Sequence, residues 1–217
     1  MSNYLAIATV TAVLRDILQE AAGAAVPGTT VTTRRPEAVN DGGQNKPMVN
    51  IFLYMVAPNA AWRNTDIELR YPDPGAPQDR ARERIEKRPQ VPLDLSYLFS
   101  FYGDELELEP QRLLGSVVSA LHANPRLPPQ AIRGTVKRER QLKDSDLEFQ
   151  VTQVENVTLT PIGLSLEELS KLWSVFFQVP YALSVAYLAS AVLIETGAPI
   201  KPVTVKEVHI KPVEAIS

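Results

Sequence analysis

The 217 residues carry 22 basic and 25 acidic side chains, a net charge of −3, which excludes a global field steering the protein to nucleic acid or anionic lipid. With 45% hydrophobic residues the chain can bury the core of one large domain. Zero cysteines exclude disulfides and thiolate metal sites, and the two histidines, His122 and His209, are too far apart in sequence to suggest a metal centre.

No basic residue precedes the first apolar run, and Arg15 and Asp16 interrupt it, so it does not read as a secretory signal. Ile7, Val10, Leu14, Ile17, Leu18 and Ala21 fall on one face of a first helix, capped by Ser2 or Asn3 and closed by Gly23 and Pro27. Thr29 to Arg34 reads as a short edge strand ended by Pro36, and Asn40 to Asn45 as a turn without the spacing a phosphate loop needs. Met48 to Val56 is apolar at almost every position and suits an interior strand. From residue 57 to 91 the pattern dissolves into a long surface excursion, where prolines alternate with charges. Its interleaved arginines and glutamates suit a short exposed helix. Acids nearly cancel bases there, and only Trp62 and Tyr71 are placed to stack on a base, so nucleic-acid binding is disfavoured.

Leu93, Leu95, Tyr97, Phe99 and Phe101 alternate with polar residues and mark the clearest strand. Gly103 breaks it, and Asp104 with Glu107 has the spacing of a capping box. Asp104, Glu105, Glu107 and Glu109 then precede a helix whose apolar face is Leu113, Leu114, Val117, Val118 and Leu121. Clustered carboxylates can hold a divalent cation or act as acid and base, which makes a hydrolase using residues 104–109 the alternative reading. Acids at a helix start are favoured by its dipole in any case, as is His122 in the last turn, and no serine or histidine motif supplies a nucleophile and base. Neither catalytic residue, metal nor cofactor is expected.

Pro125, Pro128 and Pro129 end that helix, and Arg133 to Lys143 is locally basic. Leu147 to Leu159 reads as a strand with a break near Gln153, because Phe149 and Val151 share a parity that Val154 lacks. Asn156-Val157-Thr158 matches a glycosylation acceptor but falls in that strand and reads as coincidence.

Ser165 and Glu168 form a second capping-box pair ahead of a helix with Leu166, Leu169, Leu172, Trp173 and Phe176 on one face, stopped by Pro180. Val175 to Ile194 carries no charge and is long enough to test as a membrane span, the basis of a second alternative, a membrane-associated assembly factor. Gln178, Pro180, Ser184, Ser190 and the valine-rich composition favour a helix end followed by a strand covered on both faces. Gly197 and Pro199 end the core. Ile-Lys-Pro-Val then occurs at 200–203 and again at 210–213, with Val203, Val205, Val208 and Ile210 alternating with polar neighbours. Prolines disfavour an interior strand, so 198–217 reads as a frayed tail, an edge strand on the chain's own sheet or, the preferred reading, an extended arm adding to a partner's sheet through Val203, Val205, Val208, Ile210 and Val213. The expected fold is α/β of the α+β type: a central mixed or antiparallel sheet flanked by about three helices in residues 1–197, then the arm.

Two stretches together resemble a known family: LDLSYLFSFYGDELELEPQRLLGSVVSALHANPRLP, Leu93 to Pro128, and SLEELSKLWSVFFQVPYALSVAYLASAVLIE, Ser165 to Glu195. They are similar to the amino-terminal domain of cap, or tail-terminator, proteins of extracellular contractile injection systems, phage-tail-like particles of the antifeeding-prophage type. The helix at Leu5 to Ala21 and the strand at Val49 to Met55, followed by Pro58 and Asn59, fit the same pattern.

The resemblance implies a non-enzymatic structural role in a ring, expected to be a homohexamer, on the baseplate-distal end of the inner tube. The ring ends tube and sheath growth and anchors the last sheath ring. The implied partners are the inner tube protein, the sheath protein and further copies of the chain, with neither nucleic acid nor direct membrane insertion. Assembly is expected in the cytoplasm, into a particle released or membrane-tethered. A ring closes by heterologous contact, for which Glu105 and Glu107 on one surface and Arg138 and Arg140 on another are the candidates.

Overall fold

The structure, a computed structural model, describes residues 4–36, 46–62, 90–142, 151, 154, 156–176 and 179–195, and the backbone of 67–72 and 83–88. Helix α1 (Ala6–Ala25) leads to β1 (Thr30–Thr32), β2 (Met48–Pro58), β3 (Ile67–Pro72), β4 (Glu83–Arg88) and β5 (Gln90–Tyr102). Helices α2 (Glu109–Ala123) and α3 (Pro129–Arg138) follow, then a 3-10 turn (Arg140–Leu142), β6 (Thr158–Ile162), α4 (Leu166–Ser174) and β7 (Leu183–Glu195). A five-stranded sheet runs β1-β2-β5-β7-β6, with β1 parallel to β2 and the other neighbours antiparallel. This is the expected α+β fold on a mixed sheet, and helix α3 is not among the helices expected from the sequence.

Strand parity sorts the core into two layers. Ile51, Phe99 and Val185 stand opposite one another in register and face α1, α2 and α3, whose Leu14, Leu113, Val117 and Ile132 are fully buried against them. One residue along, Phe52, Leu98 and Ala186 point to the other face, where Trp173 of α4 and Phe176 just after it pack on Phe52 and Leu98. Phe176 meets Phe52 edge-on at 5.3 Å, and the Trp173 indole donates to Ser184 Oγ at 3.2 Å. The alternation read in Leu93 to Phe101 is therefore a division between two buried layers rather than between core and solvent.

The exposed edge is closed by side chains. Beyond β1, Gln19 of α1 accepts from Val31 N–H at 2.9 Å and donates to Thr29 C=O at 2.8 Å, doing what another strand would do. Asn50, fully buried, accepts from Thr32 Oγ1 and Arg34 N–H and donates to Arg34 C=O.

Several expectations shift. Gly23 lies inside α1, and the turn behind the helix uses Gly28 at φ 85°; Ser2 and Asn3 lie outside the described residues, as do 40–45. The excursion after β2 holds an antiparallel hairpin, not a helix, and its register sets Glu68 opposite Lys87. Of the strand expected over Leu147 to Leu159, residues 147–150 lie outside the described residues, and β6 includes Thr158 and Leu159. Val151 and Val154 are helical and buried, so the three-residue spacing that mimics a bulge is a helical face. Leu166 is 84% exposed rather than part of the apolar face, and α4 ends at Ser174, ahead of Pro180. Among the described residues no helix is long and apolar enough to cross a membrane.

The capping box of α4 forms as expected. Ser165 Oγ accepts from Glu168 N–H, and Glu168 Oε2 accepts from Ser165 N–H at 2.8 Å. These hydrogen bonds from the Ser165 backbone and then its side chain, with Lys171 nearby, hold the Glu168 carboxyl below the usual range. A depressed folded pKa stabilises the fold above the unfolded pKa, and that contribution is lost as pH falls through the folded value. Thermal stability should therefore fall more steeply between about pH 5 and about pH 3 in the wild type than in Glu168→Gln, followed by circular dichroism melts. Parallel curves would show that the box does not titrate.

Candidate functional site

The two ends of the sheet carry the polar chemistry. At the end where β5 stops, the Asp104–Glu107 box is not formed. Asp104 accepts from Leu106 N–H at 2.8 Å, and Glu109, already inside α2, accepts from Asp104 N–H at 2.8 Å. Gly103 makes this crossing possible, because a Cβ there would meet Glu109 Oε2 at 2.7 Å. Leu108 caps α2 in the left-handed region at φ 54°. The tight loop thus presents Leu106, 93% exposed, between the exposed Glu105 and Glu107.

At the opposite end β5 and β7 share an irregularity. Leu93 pairs with Val192 and Leu95 with Ala189, so two residues of β7, Ser190 and Ala191, face the one at Asp94. Ala191 takes φ 65°. Asp94 Oδ1 accepts from Ser190 Oγ at 2.7 Å, Asn59 Nδ2 at 2.8 Å and, more distantly, Ala191 N–H at 3.3 Å. Asn59 Oδ1 in turn accepts from Trp62 N–H, which sets the indole beside the irregularity. Leu159 N–H donates to Pro125 C=O, and Arg126 bridges to Thr158, so the segment after α2 lies along β6. These constraints shape an open pocket of about 530 Å³ lined by Trp62, Arg126, Asn156, Thr158, Thr160 and the Ser190 turn.

Within the basic run Arg138 is engaged inside the chain. Arg138 pairs with Asp16 Oδ2 at 2.7 Å, Thr135 Oγ1 donates to the same oxygen, and Arg15 bridges Asp16 and Glu139. The Glu139 hydrogen bond is the main reason the Arg15 guanidinium is held above its ordinary pKa. This cluster joins α1 to α3. Arg140 is exposed just beyond it, on the 3-10 turn. Among the described residues no cluster of histidine and carboxylate side chains is arranged to hold a metal ion. Val203, Val205, Val208, Ile210 and Val213 lie outside the described residues.

A family model described as the Pvc16 N-terminal domain matches residues 9–206. The chain belongs to that family. As a Pvc16 N-terminal domain it is also similar in fold to two solved structures. One is the sheath/tube terminator, in the extended state, of PVC, an extracellular contractile injection system: TM-score 0.54 and 17% identity, over 93% of this chain and 65% of that one. The other is the tube-terminating cap of the anti-feeding prophage, with TM-score 0.54 and 16% identity over 91% of this chain and 60% of that one. The chain spans less than two thirds of the length of either. A search of curated protein sequences returned no match.

Proposed function

We propose that this chain is a structural cap of a contractile injection system. It forms a ring on the baseplate-distal end of the inner tube, ends tube and sheath growth, and anchors the last sheath ring. The observation that carries this reading is the Pvc16 N-terminal match across residues 9–206, in a fold similar to a sheath/tube terminator and a tube-terminating cap. Its partners are then the tube protein, the sheath protein and further copies of itself, with six the expected number, and assembly takes place in the cytoplasm. Residues 198–217 act as the arm that joins a neighbouring sheet. Glu105 and Glu107 supply one face of the ring contact; because Arg138 is already paired with Asp16, Arg140 is the remaining candidate within the basic run.

Electron microscopy of particles from producing cells with and without the chain tests the proposal. Without it, tubes and sheaths should run to uncontrolled length or tubes should lose their sheaths, and restoring the chain should restore uniform ends. Normal particles in its absence would remove the cap reading.

A further inference from the structure

The pocket between Trp62 and Arg126 is built from three separated segments, the exit of β2, the segment after α2, and the β6–β7 pair at the shared irregularity. Arg126 is exposed on its rim, and no acid among the described residues pairs with it. The indole of Trp62, 41% exposed, adds an apolar wall beside that charge. A fitting occupant has an apolar tip flanked by carboxylates. The loop at the far end of α2 has this composition: Leu106, 93% exposed, between Glu105 and Glu107.

We propose that the pocket is a socket for the 105–108 loop of a second copy of this chain. Leu106 packs on Trp62, and Glu105 or Glu107 pairs with Arg126. The two surfaces lie at opposite ends of α2, whose 15 residues separate them by about 22 Å. A chain therefore does not fill its own socket, and each copy offers the loop at one end and the socket at the other. Such a contact is heterologous and propagates from copy to copy until it closes on itself. Charge complementarity favours the loop-to-socket contact over a loop-to-loop contact, which would bring like charges together. This inference rests on the cap reading and names the ring contact within it, with Arg126 in place of Arg140 opposite Glu105 and Glu107.

The absence of cysteine from the natural sequence makes the test free of background. Glu105→Cys, which leaves Leu106 and Glu107 in place, and Thr160→Cys are introduced together into the chain, which is concentrated, oxidised and run on a non-reducing gel. Disulfides need Cα atoms within about 7 Å, so the two ends of α2 cannot join within one copy. Docking should give a ladder above the dimer, whereas either single variant can give nothing larger than a dimer. Adding Arg126→Glu should reduce the ladder about tenfold, and Glu107→Arg in the same chain should restore it. Monomer alone on the gel, with rings on a microscope grid, would overturn the docking and leave the cap reading standing. Monomer with no rings would overturn the docking and count against the cap reading too.

Discussion

Replacing Phe99 with alanine should lower the stability of the chain by about 3–5 kcal/mol, a large share of the roughly 5–15 kcal/mol that holds a typical domain folded. Phe99 is fully buried at the centre of the middle strand, stacked on Tyr187 at 5.4 Å and on Tyr97 at 6.4 Å. The three helices above and the strands either side fix its surroundings, so the cavity left by truncation does not collapse. Phe99→Leu keeps most of the volume and should cost about 1.5 kcal/mol or less. Urea unfolding measures both. A midpoint for Phe99→Ala close to the wild type, with an unchanged slope, would mean that the sheet and helix layers are not packed as described.

The second large effect is expected at Asp94. Removing its carboxylate in Asp94→Ala takes an acceptor from Asn59, Ser190 and Ala191 at once, and so loosens the exit of β2 from the irregularity in β7. Hydrogen bonds to a charged acceptor are stronger than neutral ones, and a nearly buried amide such as Asn59 is costly to leave short of partners. A loss of about 2–4 kcal/mol is expected, with Asp94→Asn intermediate because it keeps an acceptor oxygen. Amide hydrogen exchange adds a local readout: protection at Ala191 should fall in Asp94→Ala before the rest of the sheet is affected. Unchanged protection there would show that the irregularity is held by the strands alone.

The sequence was most legible where one element carries its own signal. The alternation of Leu93 to Phe101, the face of α2 at Leu113, Val117 and Leu121, and the Ser165–Glu168 box are local patterns, and each is present. Helix α3 was hidden because its buried stripe is only Ile132, Thr135 and Val136, and because Pro129 opens a helix as readily as it ends one. Val151 and Val154 misled for a related reason: three residues apart, they break strand parity and obey helix parity. Of the candidate site, the acidic stretch at 104–109 was visible as composition. Its shape depends on Glu109 reaching back past Gly103, and that takes the place of the expected pair at Asp104 and Glu107. Asp94 and Arg126 gave no signal, since a polar residue in an alternating strand and an arginine among prolines are both ordinary. Their partners come from positions far away in the chain.

The seal on β1 has a consequence for the order of folding. Strand β1 is three residues long, and its outer backbone is satisfied by Gln19, a side chain that reaches it only from a docked α1. Strands β2 and β5 can pair before that helix settles, but their edge cannot close until it does. Any opening of α1 from the sheet therefore uncovers the outer backbone of β1 to pairing with another chain.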